Sequence, residues 1–168
     1  MANETNPKPT PAPSGPAEAL STARQVEELA DKLTDCADGI HARVMRDIRR
    51  QGQDVPESEQ AAARALLNAE MELRQRANWL YTEAAACIVS SLGQPQQHLI
   101  QLTVDAADKI RRITRIGDGI TLVARLLGLA AAASTGQVMP ILAAVEGLKT
   151  QLDVIAIDNA PAAPAASA

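Results

Sequence analysis

Two histidines and several helix-borne carboxylates are the residues of this 168-residue chain that could support acid–base or metal chemistry. Asp38 lies three residues before His41, a spacing that brings two side chains to one face of a helix, whereas His98 has no acidic neighbour at that spacing. A metal site needs three or four converging ligands, and the Glu-x-x-His motif of di-iron bundles is missing around Glu70 and Glu72. We therefore predict that the chain is not an enzyme and has no catalytic residue, metal or cofactor.

The most basic stretch is Lys109-Ile110-Arg111-Arg112-Ile113-Thr114-Arg115, which could bind a phosphate or an anionic lipid. Carboxylates stand at helical ion-pair spacing from its cations, and the pairs this spacing predicts are Asp105–Lys109, Asp108–Arg112 and Arg115–Asp118. Such pairing predicts a solvated, salt-bridged face. The net charge of −4 also argues against a nucleic-acid partner, which would require a basic face.

The two cysteines, Cys36 and Cys87, could form a disulfide or a redox pair. A helical hairpin that turns near Gly52 would separate them by more than roughly 20 Å along its axis. That distance is beyond disulfide reach, so we predict two buried, inert thiols. The single tryptophan, Trp79, has Arg76 before it and Glu83 after it. We predict that its ring covers the seam between two helices, since a ligand platform would need a concave site.

The composition indicates an all-α protein. Hydrophobic residues make up 46% of the chain but aromatic residues only 1%, and phenylalanine is absent. A core of Ala, Leu, Ile and Val suits closely packed helices, and sustained strand-like alternation is missing. The Pro-rich leader (1–16) and the Ala/Pro-rich tail (158–168) have too little to bury. We predict that both are disordered and that residues 17–157 form one four-helix bundle.

Local signals predict the four helices. The first begins between Pro16 and Ser21 and ends at Gly52, and the second begins at Asp54-Val55-Pro56-Glu57, where Asp54 caps it, and ends at Gly93. The third begins at Pro95 and ends within Ser134–Gln137, and the fourth begins within three residues before Pro140. Short links favour an up-down-up-down bundle. Helices 1 to 3 would each span roughly 50–60 Å and the shorter fourth helix only about 30 Å.

Two glycine motifs fall at about the same height in this predicted bundle, roughly 20 Å from the first turn. They are Asp38-Gly39-Ile40 in helix 1 and Asp118-Gly119-Ile120 in helix 3. Glycine inside a helix costs about 1 kcal/mol relative to alanine, so a shared level suggests a close approach of two backbones. The competing hypothesis is that Gly117 and Gly119 break helix 3 and that Asp118 caps a second segment. Both hypotheses stay open.

The stretch from Leu122 to Val145 is apolar around most of its predicted helices. One stripe that would face the bundle contains Ile120, Val123, Leu127 and Ala130. A second stripe contains Leu122, Leu126, Leu129 and Ala133, and small residues recur at Ala124, Gly128 and Ala132. A helix that is apolar over so much of its circumference is buried on more than one side. We predict that the leucines anchor a partner and that the small residues allow close packing.

The alternatives to a partner interface are burial of the hairpin within the chain, a transmembrane span and shallow insertion into a membrane surface. Helices 2 and 4 could cover both stripes within the chain. A transmembrane span needs about 20 apolar residues, whereas 120–133 is interrupted by Arg125 and 138–145 is short. Shallow insertion into a membrane surface would need a Lys/Arg-rich face and aromatic anchors, which this hairpin lacks.

The function that the sequence predicts is binding of protein without catalysis, by self-association or through the helix 3–4 hairpin. No small-molecule substrate is identified, and a membrane surface is the weaker partner. The alternatives are a peripheral membrane-active or granule-coating helical protein and an exported bacterial-type surface or effector protein. Residues 1–20 lack a secretory signal, so we expect a cytoplasmic protein, with non-Sec export left open.

Overall fold

The computed structural model describes residues 17–158, so the predicted leader and the tail from residue 159 lie outside the described residues. The described part is all-α, as predicted, and contains no β-strand. It has five helices rather than the predicted four: α1 (Ala23–Gln51), α2 (Glu57–Thr82), α3 (Gln96–Arg112), α4 (Ile116–Thr135) and α5 (Val138–Asp158). The last helix includes Asp158 and has 21 residues against 20 in α4, so it is not shorter than the helix it packs against.

Helix α1 begins at Ala23, slightly later than predicted, because Thr22 forms a capping box with Gln25. It ends at Gly52 as predicted, where the backbone has a φ of 65° that favours glycine. The predicted Asp54 cap of helix α2 is wrong. Pro56 is the residue before the helix, and no side chain caps it. Asp54 lies two residues before Pro56 and is therefore outside the capping position.

Helix α2 ends at Thr82 rather than at the predicted Gly93. The following segment, residues 83–95, runs past the start of α1 and is held there by backbone hydrogen bonds. The Val89 amide donates to the Leu20 carbonyl over 2.8 Å, and the Ala19 amide donates to the Gln94 carbonyl over 2.7 Å. These bonds bring the first residue of α3, Gln96, beside the start of α1.

Helices α1 and α3 lie side by side and run in the same direction. Three hydrogen bonds from α1 to α3 backbone carbonyls have sequence offsets of 67, 67 and 65 residues, and their donors are Cys36, Arg43 and Arg46. The predicted alignment of Gly39 with Gly119 had an offset of 80 residues. This predicted alignment is wrong because helix α2 stops early and residues 83–95 return to the start of α1.

The predicted third helix is two helices, so the hypothesis of an interruption is confirmed, but its position is wrong because Gly117 and Gly119 lie in the first turn of α4. The chain reverses at Ile113–Arg115, and α4 ends where Gly136 packs against the backbone of Ala86 and Cys87. The residue before α4 is Arg115, not the predicted Asp118. No close backbone approach occurs at the two motifs: Gly39 faces the side chain of Arg111, and Gly119 faces that of Ile113.

Candidate functional site

The residues predicted to anchor a partner are core residues. Leu122, Leu126 and Leu129 have no exposed surface, and Ala132 and Ala133 are also buried. The prediction that the leucines contact a partner is therefore wrong for the folded chain, because α4 packs against α2, α5 and α3 at once. The leucine stripe is instead covered by neighbouring helices of the same chain.

Two predicted close-packing residues, Ala124 and Gly128, lie on the exposed side of α4. A Cβ placed on Gly128 would meet no atom within 4 Å. These positions are therefore not used for packing inside the chain.

Within residues 17–158, α4 (Ile116–Thr135) is the one helix long and apolar enough to cross a membrane by length and composition. The mean hydropathy of its most apolar stretch is 1.5, and 44% of that stretch is buried. Leu122, Leu126 and Leu129 of this helix are enclosed by the rest of the chain, so α4 contributes to the core in this structure.

Helix α5 has an outer face that points away from the rest of the chain and carries exposed apolar side chains towards both of its ends. Met139 is 74% exposed, Val154 is 45% exposed and Ile157 is 73% exposed. The opposite face carries the buried residues Ile141, Val145, Leu148, Leu152 and Ile155. At the helical repeat, the outward positions align as one stripe, which we name the α5 outer face: Met139, Ala143, Glu146, Thr150, Val154 and Ile157.

A cleft of about 770 Å³ lies where α1 and α3 end and where α2 and α4 begin. Its lining contains six arginines but only two carboxylates, Asp47 and Glu59. We name it the arginine cleft, and its cations are Arg43, Arg46, Arg50, Arg64, Arg111 and Arg112. Its lining also includes the apolar side chains of Val44, Ile48, Leu66, Leu67, Ile113 and Ile116.

The predicted salt bridges of the basic stretch are wrong. Asp105 accepts a hydrogen bond from Gln101, Asp108 pairs with Arg111, and Arg115 lies 3.9 Å from Asp158. Only the last of these contacts is selected by tertiary packing, which brings Asp158 of α5 near the end of α3, whereas the first two are local contacts within α3. Lys109 and Arg112 form no ion pair within the described part of the chain, so this stretch keeps more free positive charge than its spacing predicted.

The histidines do not assemble a site. Asp38 pairs with Arg74 over 2.6 Å instead of with His41, whose Nδ1 lies 3.6 Å from a Glu70 oxygen. His98 is exposed. Among residues 17–158, no group of three or more His, Cys, Asp or Glu side chains could hold a metal ion.

The sequence predicted that Trp79 covers a seam between two helices, and this prediction is wrong. Its side chain is 53% exposed on the outside of α2. It borders a shallow groove whose other lining residues are Asn68, Met71, Glu72, Gln75 and Arg76. Gln75 and Arg76, one turn before Trp79, line the same groove. The ring therefore lies on an exposed face of α2 and not between two helices.

Both cysteines are free and buried, as predicted. The Cys36 thiol donates to the Thr103 carbonyl, and the Cys87 thiol lies 3.8 Å from the Ser134 carbonyl. Burial raises the pKa of Cys36 to about 12, and the Asp35 carboxylate adds to this shift. Burial, together with Glu83, also raises the pKa of Cys87. Neither thiol is therefore a ready nucleophile.

The buried Cys36 thiol should make the protein less stable in alkali. In the unfolded chain this thiol ionises near its ordinary pKa of 9.0, whereas in the folded chain it stays protonated up to about pH 12. The free energy of unfolding should therefore fall as the pH rises from 9 towards 12. Urea unfolding over this range should show a shallower decline for Cys36→Ala than for the unsubstituted protein. Equal declines would contradict the assignment.

No protein-family model, curated protein or solved structure matches the chain. The α5 outer face and the arginine cleft are the two features of residues 17–158 from which we infer a function.

Proposed function

We propose that this chain is a non-enzymatic interaction protein that self-associates through the α5 outer face. The observation that supports this proposal is the exposure of Met139, Val154 and Ile157 on one side of a helix whose other side is already packed. Exposed apolar surface that lies along one stripe is typical of an interaction site. The proposal keeps the hairpin as the binding element and moves the contacts from the buried leucines of α4 to α5.

A second copy of the chain fits this face because the face is self-complementary. Two α5 helices packed antiparallel about a twofold axis near Leu148 and Lys149 would place small residues opposite large ones. In that arrangement Ala143 of one copy faces Val154 of the other, and this contact occurs twice. A twofold interface requires such reciprocal pairing.

Glu146 on the stripe and Lys149 beside it have opposite charges that this arrangement brings together. Glu146 and Lys149 are both exposed and form no ion pair within the described residues. In this register Glu146 of each copy would lie within one turn of Lys149 of the other, and the two lysines would flank the twofold axis. Opposite charges placed in this way favour one register of a pair of helices.

Charge exchange on α5 is the experiment that tests the proposal. Sedimentation velocity should show a concentration-dependent dimer for the unsubstituted protein. Lys149→Glu should shift it towards monomer, because two repulsions between carboxylates replace two attractions. Glu146→Lys should act in the same way, with two repulsions between ammonium groups. The double variant Glu146→Lys/Lys149→Glu should restore the dimer because it exchanges the two charges.

Glu27→Lys is the matched control, since Glu27 is an exposed carboxylate on α1 and has no ion pair in the described part. It makes the same change of charge away from α5 and should leave the dimer unchanged. A monomer at every concentration, or equal weakening by Glu27→Lys, would contradict the proposal. Binding to liposomes that Ile157→Asp abolishes, without a dimer, would instead favour the membrane-surface function.

A further inference from the structure

The arginine cleft carries the opposite sign of charge from the chain as a whole. The sequence has a net charge of −4, whereas the cleft contains six arginines and two carboxylates. The cations come from three helices: five lie towards the ends of α1 and α3, and Arg64 lies on α2. A concave surface lined by one sign of charge concentrates the opposite ion.

Two of the arginines have structural roles. Arg43 donates to the Ile110 carbonyl over 3.1 Å and pairs with Asp47 over 2.7 Å, and Arg46 donates to the Arg111 carbonyl over 2.9 Å. These bonds satisfy carbonyls in the last turn of α3, where the helix leaves them without partners. Cations at a helix C-terminus are also stabilised by the helix dipole.

Three other arginines are available to a ligand. Arg50, Arg64 and Arg112 are exposed and form no ion pair with any residue from 17 to 158. Glu59 is already hydrogen-bonded to Gln51, and Asp47 is paired with Arg43. Neither carboxylate of the cleft forms an ion pair with these three guanidinium groups. A guanidinium group forms paired hydrogen bonds with phosphate or carboxylate oxygens.

The cleft also offers apolar surface beside these charges. Ile48 is 42% exposed, and the half-buried side chains of Val55, Leu67 and Ile116 line the same space. Aromatic side chains are absent from its lining, so the cleft has no aromatic ring on which a nucleic-acid base could stack. Its volume is in the range of ligand pockets, about 300–1,000 Å³.

We propose that the arginine cleft binds an anionic amphiphile, that is, a head group with two or more negatively charged oxygens joined to a short apolar chain. The head group contacts Arg50, Arg64 and Arg112, and the chain lies against Ile48 and Leu67. This site is separate from the α5 outer face. It goes beyond the proposed self-association and does not depend on it.

Isothermal titration calorimetry with three matched compounds tests this site. Octyl phosphate below its micelle concentration should bind one molecule per chain. Inorganic phosphate, which has only the head group, should bind at least about tenfold more weakly, because the buried chain adds apolar contact. Octyl glucoside, which has the same chain without the charge, should not bind measurably.

Single arginine substitutions then locate the site. Arg50→Gln and Arg64→Gln should each weaken octyl phosphate binding by about tenfold or more, the usual effect of losing a charge-assisted hydrogen bond. Arg49→Gln is the matched control because Arg49 is exposed on the same helix but does not line the cleft. It should leave binding within about twofold, the weak effect of a screened surface charge. Equal losses in all three variants, with unchanged thermal unfolding, would overturn the proposal as unspecific attraction.

The source of the head group is tested with phosphatidic acid vesicles. Flotation with these vesicles and binding of octyl phosphate, both weakened by Arg50→Gln, would support the same head-group chemistry with a membrane lipid as its source. Octyl phosphate binding without flotation would support a free amphiphile. Flotation without any octyl phosphate binding would overturn the cleft as a ligand site and would indicate a membrane-binding surface.

Discussion

Leu126→Asp should unfold the protein. Leu126 has no exposed surface in the centre of α4, and the substitution leaves a carboxylate in the core among apolar side chains. Truncation of a buried leucine alone costs about 2–5 kcal/mol. Burial of an unpaired polar group adds a further cost. Together these approach the whole stability of a typical domain, about 5–15 kcal/mol.

Far-UV circular dichroism and urea unfolding measure this effect. Leu126→Asp should lose most of its helical signal at room temperature or unfold at far lower urea concentrations. Ala124→Asp is the matched control, since Ala124 is two residues away on the exposed side of the same helix. It should change the free energy of unfolding by no more than about 0.5 kcal/mol. Retained helicity and stability in Leu126→Asp would show that α4 is not a core helix.

Gln96→Ala should destabilise the junction between α1, α3 and the segment after α2. The side chain of Gln96 is buried, and its Oε1 accepts a hydrogen bond from the Leu20 amide over 3.0 Å. Its Nε2 donates to the Gln25 carbonyl over 3.0 Å and to a Glu28 carboxylate oxygen over 2.9 Å. Leu20 has a φ of 57°, a left-handed conformation that costs free energy for a non-glycine residue.

The loss should be about 2–4 kcal/mol, because each buried group left without its partner costs about 1–3 kcal/mol. Urea unfolding gives this value, and hydrogen exchange should show the Leu20 and Val89 amides exchanging faster. Gln97→Ala, at the exposed next position, should have almost no effect. If Gln96→Ala and Gln97→Ala were equally stable, the Gln96 side chain would not hold this junction together.

Features that depend on neighbouring residues were predictable from the sequence. The apolar stripe of α1, its end at Gly52 and the start of the last helix just before Pro140 all agree with the structure. They depend on side-chain periodicity, on the left-handed backbone that glycine tolerates and on the missing amide of proline. The burial of Cys36 was predictable for the same reason, since it lies on the apolar stripe of α1.

The length of the second and third predicted helices could not be read from the same signals. Apolar spacing continues past Thr82 to Ala84 and Cys87, which are buried although they lie outside any helix. Cys87 lies against Ser134 and Gly136 at the end of α4, which is distant in sequence. Near Gly117 and Gly119 the local residues allowed both a continuous and a broken helix. The reversal at Ile113–Arg115 depends on how α4 packs on α2 and α5.

Residue types and their periodicity were enough to predict that the described chain is helical, that Cys36 is a buried thiol and that the region of α4 is apolar on more than one side. What covers those sides followed from long-range packing, because periodicity shows that a face is buried without showing which helix buries it. The same packing determines where charge accumulates. The basic ends of α1 and α3 are more than 60 residues apart, and the parallel arrangement of these two helices places them around one cleft.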